Sequence, residues 1–318
     1  MQARGIVPVI LDARRSRSGF ALVIVLWMIA LLSVLAAGFS SAMRTEARSS
    51  LNVLESAKAR ALADAAVQRG LYGLLNVEPE LEWRADGTPY KFSFGGADVS
   101  VSTWNEGGKV DLNAAPDELI RRLLQVLEIE SAKANALADA ILDWRDEDEL
   151  RRANGAERGD YIAAGVRFGP KDVPFISRVD LQHVIGLNHD IYARLANLVT
   201  VHSFAPSVNP KYAPPGVLLA VPNVNVAEVE ALLSAREDKK ESPYISRDGG
   251  YPVLTQVGEW VSDQASSVYT IRGEAELPSG ARFAREVVIW IDQDQDVPFW
   301  VLDSGVGRFS ENTEGADG

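Results

Sequence analysis

The sequence predicts an α+β fold: a long N-terminal helix packed on a small antiparallel sheet, with a large α-helical domain inserted into it. Three observations carry that prediction. Residues 20–39 form an apolar run, FALVIVLWMIALLSVLAAGF. Residues 43–72 lack proline, lack glycine before Gly70, and are rich in Ala, Leu, Glu, Arg and Lys, the strong helix formers. Segments of alternating polarity then stand on both sides of a region with helical periodicity.

The apolar run is long enough to cross a bilayer. Twenty helical residues at about 1.5 Å each reach roughly 30 Å, the thickness of the hydrocarbon core. A secretory signal peptide has a shorter apolar region, about 7–15 residues, and a clear small-residue cleavage site; Ala36, Ala37, Ser41 and Ala42 offer only a weak one. Arg14, Arg15 and Arg17 precede the run, and the positive-inside bias places the N-terminus in the cytoplasm and the chain after about Met43 outside it. Beyond the run, Leu51, Leu54, Lys58, Leu62, Ala65 and Gln68 recur at three- and four-residue spacings. One continuous helix from about Phe20 to Tyr72 follows, apolar along Leu51, Leu54, Leu62 and Ala65, and ended by Pro79 and the turn at Asp86-Gly87.

Tyr90–Phe94 and Val99–Trp104 alternate, and Asn105–Gly108 supplies turn residues before Lys109–Leu112, so residues 76–112 read as an antiparallel meander. Asn113 is an expected N-cap, with Pro116, Asp117 and Glu118 suited to a first turn. Three helix–turn–helix units follow. The first pairs the segment after Asn113 with Ser131–Trp144, the second runs over Ser177–Thr200, and the third joins Val217–Leu219 to Val226–Arg236. These give helical regions over 113–205 and 206–265. Residues 266–291 read as a β-hairpin turning at Leu277–Gly280. From Asp292 onwards seven acids stand against one base, Arg308, and residues 292–318 read as an acidic disordered tail.

The net charge of −12 over 318 residues argues against a partner bound through phosphate neutralisation. The absence of cysteine excludes a disulfide framework and a thiolate metal site. No GxSxG, P-loop, HExxH or dinucleotide fingerprint is present, and His183, His189 and His202 share no i, i+4 spacing. No catalytic residue is nominated and the chain reads as a non-enzyme. The acidic block of Asp143, Asp146, Glu147, Asp148, Glu149, Glu157 and Asp160 is either a solvated charged loop or a site for Ca²⁺, which prefers several carboxylate oxygens. Asp292, Asp294, Asp296 and Asp303 mimic EF-hand spacing, but Val297 replaces the turn glycine. The hairpins at Leu127–Glu130, Ile185–Asn188 and Pro222–Asn225 suggest DNA-binding helix-hairpin-helix units, yet only one holds glycine and the flanks are not basic.

The order of leader, Gly19, Phe20, apolar span, amphipathic helix and meander resembles type IV pilin-like proteins. The motifs Asp111–Pro116, Leu137–Asp148, Asn154–Glu157 and Pro174–Ser177, with Val199–His202, resemble the type II secretion protein K family, over nearly the whole chain up to Ile291. The resemblance implies a pilin-like fold with a helical insertion of helix-hairpin-helix or SAM-like units. It implies a minor pseudopilin of a Gram-negative type II secretion system, at the tip of a periplasmic pseudopilus, where it helps initiate and cap assembly. A prepilin peptidase would cut after Gly19, removing a leader of residues 1–19 that is long for the family, and would methylate Phe20. The mature protein would begin with a membrane-spanning and amphipathic helix over 20–75 in the inner membrane, its C-terminal domain periplasmic. Its partners would be minor pseudopilins of the I and J types and the major pseudopilin. Most pilin-like subunits carry a glutamate at the fifth mature position; here Ile24 stands there. A carboxylate in lipid needs a partner, so an apolar residue suits either a subunit with no neighbour above it or any lipid-facing position. Members of the family bind calcium in the helical domain, and Asp146, Asp148 and Glu157 are the ligand candidates. The alternatives to this reading are a membrane-anchored periplasmic enzyme and a DNA-uptake protein that uses the helix pairs on DNA.

Overall fold

The computed structural model describes residues 18–76, 83–166, 169–170, 172–237, 258–292 and 296–309. The chain divides into two units, residues 1–55 and 56–318. In the first, the described residues are helical, and all of Phe20–Leu54 is exposed. They belong to α1 (Ser18–Leu74), which runs unbroken into the second unit, as the absence of proline and the abundance of strong helix formers allow.

The second unit combines a sheet with a helical body. β1 (Asp86–Phe94) and β2 (Ala97–Asn105) form a hairpin; β5 (Val268–Glu276), β6 (Arg282–Ile291) and β7 (Phe299–Val306) complete an antiparallel sheet in the order β1-β2-β5-β6-β7. Everything between β2 and β5 is therefore an insertion between adjacent strands. It contains β3 (Val110–Asp111), α2 (Asp117–Val126), α3 (Ser131–Arg145), α4 (Arg158–Ala163), α5 (His189–Leu195), β4 (Val199–Thr200), α6 (Pro215–Ala220) and α7 (Val226–Glu237). One apolar cluster unites the insertion, from Val110 through Leu123, Leu142 and Leu181 to Leu218 and Leu232. The two helical regions expected from the sequence thus share a core.

The stem of α1 packs on the sheet through small residues. Ala59, Ala63, Ala66 and Gly70 are buried with Leu62, Val67, Leu71 and Leu74. A Cβ at Gly70 would stand 2.7 Å from the Ile271 side chain, and one at Gly273 of β5 would stand 2.8 Å from Cβ of Ala66 and 2.9 Å from the Val67 nitrogen. Both are closer than carbon atoms approach without repulsion. The backbone of α1 therefore lies against β5 where no larger side chain fits.

Several expectations need correction. Leu51, Leu54 and Ala65 are exposed; the packing face lies on the small residues, which a count of large apolar positions overlooks. Lys109–Leu112 does not extend the meander: β3 pairs in parallel with β4. Asn113 does not cap α2, whose N-cap is Pro116; its amide instead brackets Phe175, donating to the Phe175 carbonyl at 3.0 Å and accepting its N–H at 2.8 Å. The second unit is a 3₁₀ turn (Arg178–His183) and one short helix, α5. The acidic tail is ordered over β7, which pairs with β6 from Arg285↔Val306 to Ile291↔Phe299. Phe299, Trp300, Val301 and Leu302 supply β-forming side chains, and Trp300 lies 5.2 Å from Trp290 across the ladder. Pro79, Asp294 and the tail beyond Phe309 lie outside the described residues.

Replacing Gly273 with alanine is expected to push α1 from β5 and lower stability by about 1–3 kcal/mol, the usual cost of overpacking a filled core. Denaturant unfolding of wild type and G273A checks this; equal midpoints would show that α1 does not need the close approach.

Candidate membrane stem and acidic loop

Three features have functional weight: the exposed apolar part of α1, the joint that holds the helical insertion on the sheet, and the acidic loop after α3.

From Phe20 onwards α1 is the one helix among the described residues that is long and apolar enough to cross a membrane. Its polar side chains are satisfied inside the helix: Ser33 donates to the Ile29 carbonyl at 2.8 Å and Thr45 to the Ser41 carbonyl at 3.1 Å. Such back-bonding is what a hydroxyl in hydrocarbon requires. Gly19 and Phe20 fall in the first turn of α1 and Ile24 on its exposed surface. The arginines of the leader lie outside the described residues.

The joint is built from buried polar groups. The chain leaves the sheet at Asn105 and returns at Ser266, and Asn105 ties the two ends. Its Nδ2 donates to the Ser266 carbonyl at 2.7 Å, and its Oδ1 accepts the N–H of Gly107 at 3.0 Å and of Ser266 at 3.1 Å. Next to it, buried Glu106 pairs with buried Lys109 and accepts the Thr270 hydroxyl of β5 at 2.7 Å. Burial would raise the Glu106 carboxyl, but Lys109 and then Arg178 hold it below its usual range. Further along, Glu286 of β6 is shared by two arginines. Arg272 of β5 donates to its Oε2 from Nε at 2.9 Å and Nη2 at 2.7 Å, and Arg178 of the 3₁₀ turn donates to its Oε1. Burial opposes the charge on Glu286, yet Arg178 and Arg272 outweigh it and bring the carboxyl down to about 2.

The acidic loop hangs from Trp144, which stacks on Phe175 at 5.7 Å and lies 6.0 Å from Tyr161. Asp143, on the last turn of α3, is fully buried. Its carboxylate accepts the Arg152 N–H at 3.2 Å and the Arg152 guanidinium at 2.8 Å, and the same guanidinium reaches Asp146. Gly155 must be glycine, because a Cβ there would collide with the Asp143 carboxylate. Asn154 and Arg121 bond Asp139, which fixes the far side of the loop. Glu157 precedes α4; its N–H donates to Asp160 Oδ2 at 3.0 Å.

Of the three carboxylates nominated from sequence, Asp146 and Glu157 carry buried, unpaired oxygens and Asp148 does not. Asp148 is exposed and accepts the Leu150 N–H at 2.8 Å. Glu157 is buried, and neither of its oxygens has a hydrogen-bond partner; Oδ1 of Asp146 and Oδ1 of Asp172 are likewise buried and unpaired. Burial first, then the charges of Asp143, Asp146, Asp172 and Asp148, raise the Glu157 carboxyl to about 7. Among the described residues no three carboxylates converge as metal ligands. Sequence reasoning missed Asp172 and Arg152: one lies far along the chain, and the other reads as a surface base until Asp143 is seen to be buried beneath it.

Comparison with known proteins follows from this geometry. A family model described as type II secretion system protein K matches residues 100–203. A protein of that name from Pseudomonas aeruginosa is 26% identical over 280 residues, covering 81% of this chain and 83% of that protein. One from Aeromonas hydrophila is 25% identical over 301 residues, covering 83% and 90%. The fold is similar to a chain in the crystal structure of the GspK–GspI–GspJ complex from the enterotoxigenic Escherichia coli type 2 secretion system. The TM-score is 0.55 at 18% identity, covering 84% of this chain and 99% of that one.

Glu286 makes the joint sensitive to acid. Its carboxyl titrates lower folded than unfolded, so its contribution is complete above about pH 4.5 and is lost as pH falls towards 2. That shift corresponds to about 3 kcal/mol. Denaturant unfolding between pH 5 and pH 2 should show this loss in wild type and less of it in E286Q, which starts less stable because two arginines lose their partner. Parallel pH profiles for the two proteins would rule the assignment out.

Proposed function

From a chain that belongs to the type II secretion system protein K family, we propose a minor pseudopilin that stands at the tip of the periplasmic pseudopilus and helps initiate and cap its assembly. The observation that carries this reading is the combination in one chain of an exposed apolar helix with a helical body inserted between two central strands of a pilin-like sheet. The apolar part of α1 anchors the precursor in the inner membrane, cytoplasmic at its N-terminus. Prepilin peptidase cuts after Gly19 and methylates Phe20, and the freed stem then packs against the stems of neighbouring subunits, where van der Waals contact rather than water release drives association. The partners are the I- and J-type minor pseudopilins, supported by the complex in which the similar structure was determined, and the major pseudopilin. Ile24 suits the tip, because a subunit with none above it offers no amine to neutralise a glutamate in lipid.

The acidic loop is proposed to hold Ca²⁺. What supports it is chemical: four carboxylate oxygens on Asp146, Glu157 and Asp172 are buried without a hydrogen-bond partner, and unpaired buried charge is costly. A hard divalent cation prefers such oxygens and would neutralise them. Asp146, Asp148 and Glu157 are the proposed ligands, with Asp172 a further oxygen donor; no three of the described carboxylates converge, so the loop would have to close round the ion as it binds. Its role is structural, fixing the loop between α3 and α4.

N-terminal sequencing of the membrane-extracted protein is expected to give N-methylphenylalanine at Phe20; an intact leader, or a start near Ser41, would sink the pseudopilin reading. Millimolar Ca²⁺ is expected to raise the melting temperature of the detergent-extracted protein by about 5 °C, the scale of binding at a hundredfold excess over Kd, and E157Q to abolish most of that rise. Melting curves identical with Ca²⁺ and with chelator would remove calcium from the account.

A further inference from the structure

We infer that the outer edge of β7 is a docking site for an extended segment of a partner polypeptide, which adds a strand to the sheet and sets an acidic side chain against Arg308. β7 is the last strand in the order β1-β2-β5-β6-β7, and all of Trp300–Val306 is exposed. The Gly307 N–H donates to the Ala284 carbonyl at 3.0 Å, and Gly305 stands opposite Glu286. In an antiparallel ladder every second residue turns its backbone groups to the same neighbour. Gly305 and Gly307 therefore address β6, while the N–H and C=O of Ser304 and Val306 point outward. The devices that guard a free edge are sparse here. Phe299–Val306 holds no lysine and no proline, and its register shift falls between Val301 and Asp303, so the ladder is regular from Asp303 to Val306. Such an edge takes up a strand through main-chain hydrogen bonds.

The two faces of β7 specify what that strand carries. Val301 and Val306 stand opposite Ile289 and Arg285, on the face where Ile289 joins the core with α1, and both valines are exposed. Apolar side chains of an added strand fit there. Trp300, Asp303 and Gly305 stand opposite Trp290, Val288 and Glu286, on the face of the helical insertion, whose Ser177 hydroxyl donates to Asp303 at 3.2 Å. On this second face a cavity of about 230 Å³ lies between β7 and the insertion. Its charges do not balance: Arg178, Arg272 and Arg308 line it with two carboxylates, Glu286 and Asp303. Glu286 takes Arg178 and Arg272. The Arg308 guanidinium lies over the Tyr192 ring at 5.7 Å and, among the described residues, has no carboxylate partner. Gly305 keeps the cavity open, since a side chain there would project over it and a Cβ would meet nothing within 4 Å. A strand added to β7 turns every second side chain to this face, and a carboxylate among them pairs with Arg308 through charge-assisted hydrogen bonds.

The test is fluorescence anisotropy of the detergent-extracted full chain with the labelled peptide acetyl-Thr-Val-Thr-Val-Glu-Val-Thr-amide, whose valines and polar side chains fall on opposite faces of a strand. One control peptide carries Gln in place of Glu. Another carries N-methyl groups on the valine nitrogens, the ones that meet Ser304 and Val306 in the ladder. Wild type is expected to bind the Glu peptide about tenfold more tightly than either control, the factor of one charge-assisted hydrogen bond. R308Q should erase the difference between the Glu and Gln peptides. S304P removes one outward N–H and leaves the bonds to β6, and G305L fills the cavity; each should weaken binding about tenfold at an unchanged melting temperature. Equal affinity for the Glu and Gln peptides overturns the acidic partner, and binding indifferent to N-methylation overturns the edge. Binding of no peptide overturns both. Peptide binding that appears only after residues 310–318 are removed makes the chain's own tail the occupant, and wild-type dimers that S304P disperses make it a second copy; either result overturns the partner named here. If S304P and G305L fail to fold, R308Q and the N-methylated peptide decide.

Discussion

The structure depends on one carboxylate shared by two arginines. A helical body inserted between β2 and β5 is held to the sheet at its two chain ends, and a chain end is a flexible tether. Glu286 turns the tether into a rigid joint. Arg272 comes from the strand beside it and Arg178 from the 3₁₀ turn of the insertion, so the carboxylate joins the sheet to the insertion. A charged group with fixed hydrogen-bond directions specifies an angle; an apolar face specifies only proximity. The nearby pair of Glu106 and Lys109, closed on Thr270, repeats the device at the root of the insertion. Burying so many charges gains little net stability compared with apolar replacements. What the network supplies is a single arrangement of the insertion on the sheet.

The stem obeys a different constraint. Gly70, Ala63, Ala66 and Gly273 allow two backbones to approach closely, and the contact area gained is backbone and Cβ surface. Before the stem, in the first unit, Leu51 and Leu54 are exposed. An exposed apolar face on a helix continuous with a membrane-length segment is what packing between neighbouring stems would use.

How much was legible in the sequence follows from how far apart the interacting groups lie. The span, the unbroken helix and the β5–β6 hairpin come from local patterns, and each was readable within a window of a few turns. The first helix pair, α2 and α3, was legible from helix-favouring residues, although the expected cap, Asn113, does not cap α2. β7 is not legible from composition, because acids outnumber bases from Asp292 onwards; the apolar run Phe299–Leu302 becomes a strand once β6 is there to pair with it. The phase of the α1 stem was missed because small residues carry no hydrophobic signal until a sheet is placed against them. The joint was invisible, since Arg178, Arg272 and Glu286 meet only after the fold is made. Of the acidic loop, Asp146 and Glu157 are nominated by the acidic block and the family resemblance, whereas Asp172 and Arg152 require knowing which oxygens are buried.

That loop and the joint solve the same problem with different balances of charge. At the joint, two arginines flank Glu286 and pull its carboxyl well below the ordinary range, so the site is satisfied by the chain's own groups. In the loop, burial and the charges of Asp143, Asp146, Asp172 and Asp148 push Glu157 to about 7, and among the described residues Arg152 bonds Asp143 and Asp146 while both oxygens of Glu157 stay unpaired. The joint is completed by the chain's own cations, whereas the buried oxygens of the loop are the ones the proposed Ca²⁺ would neutralise.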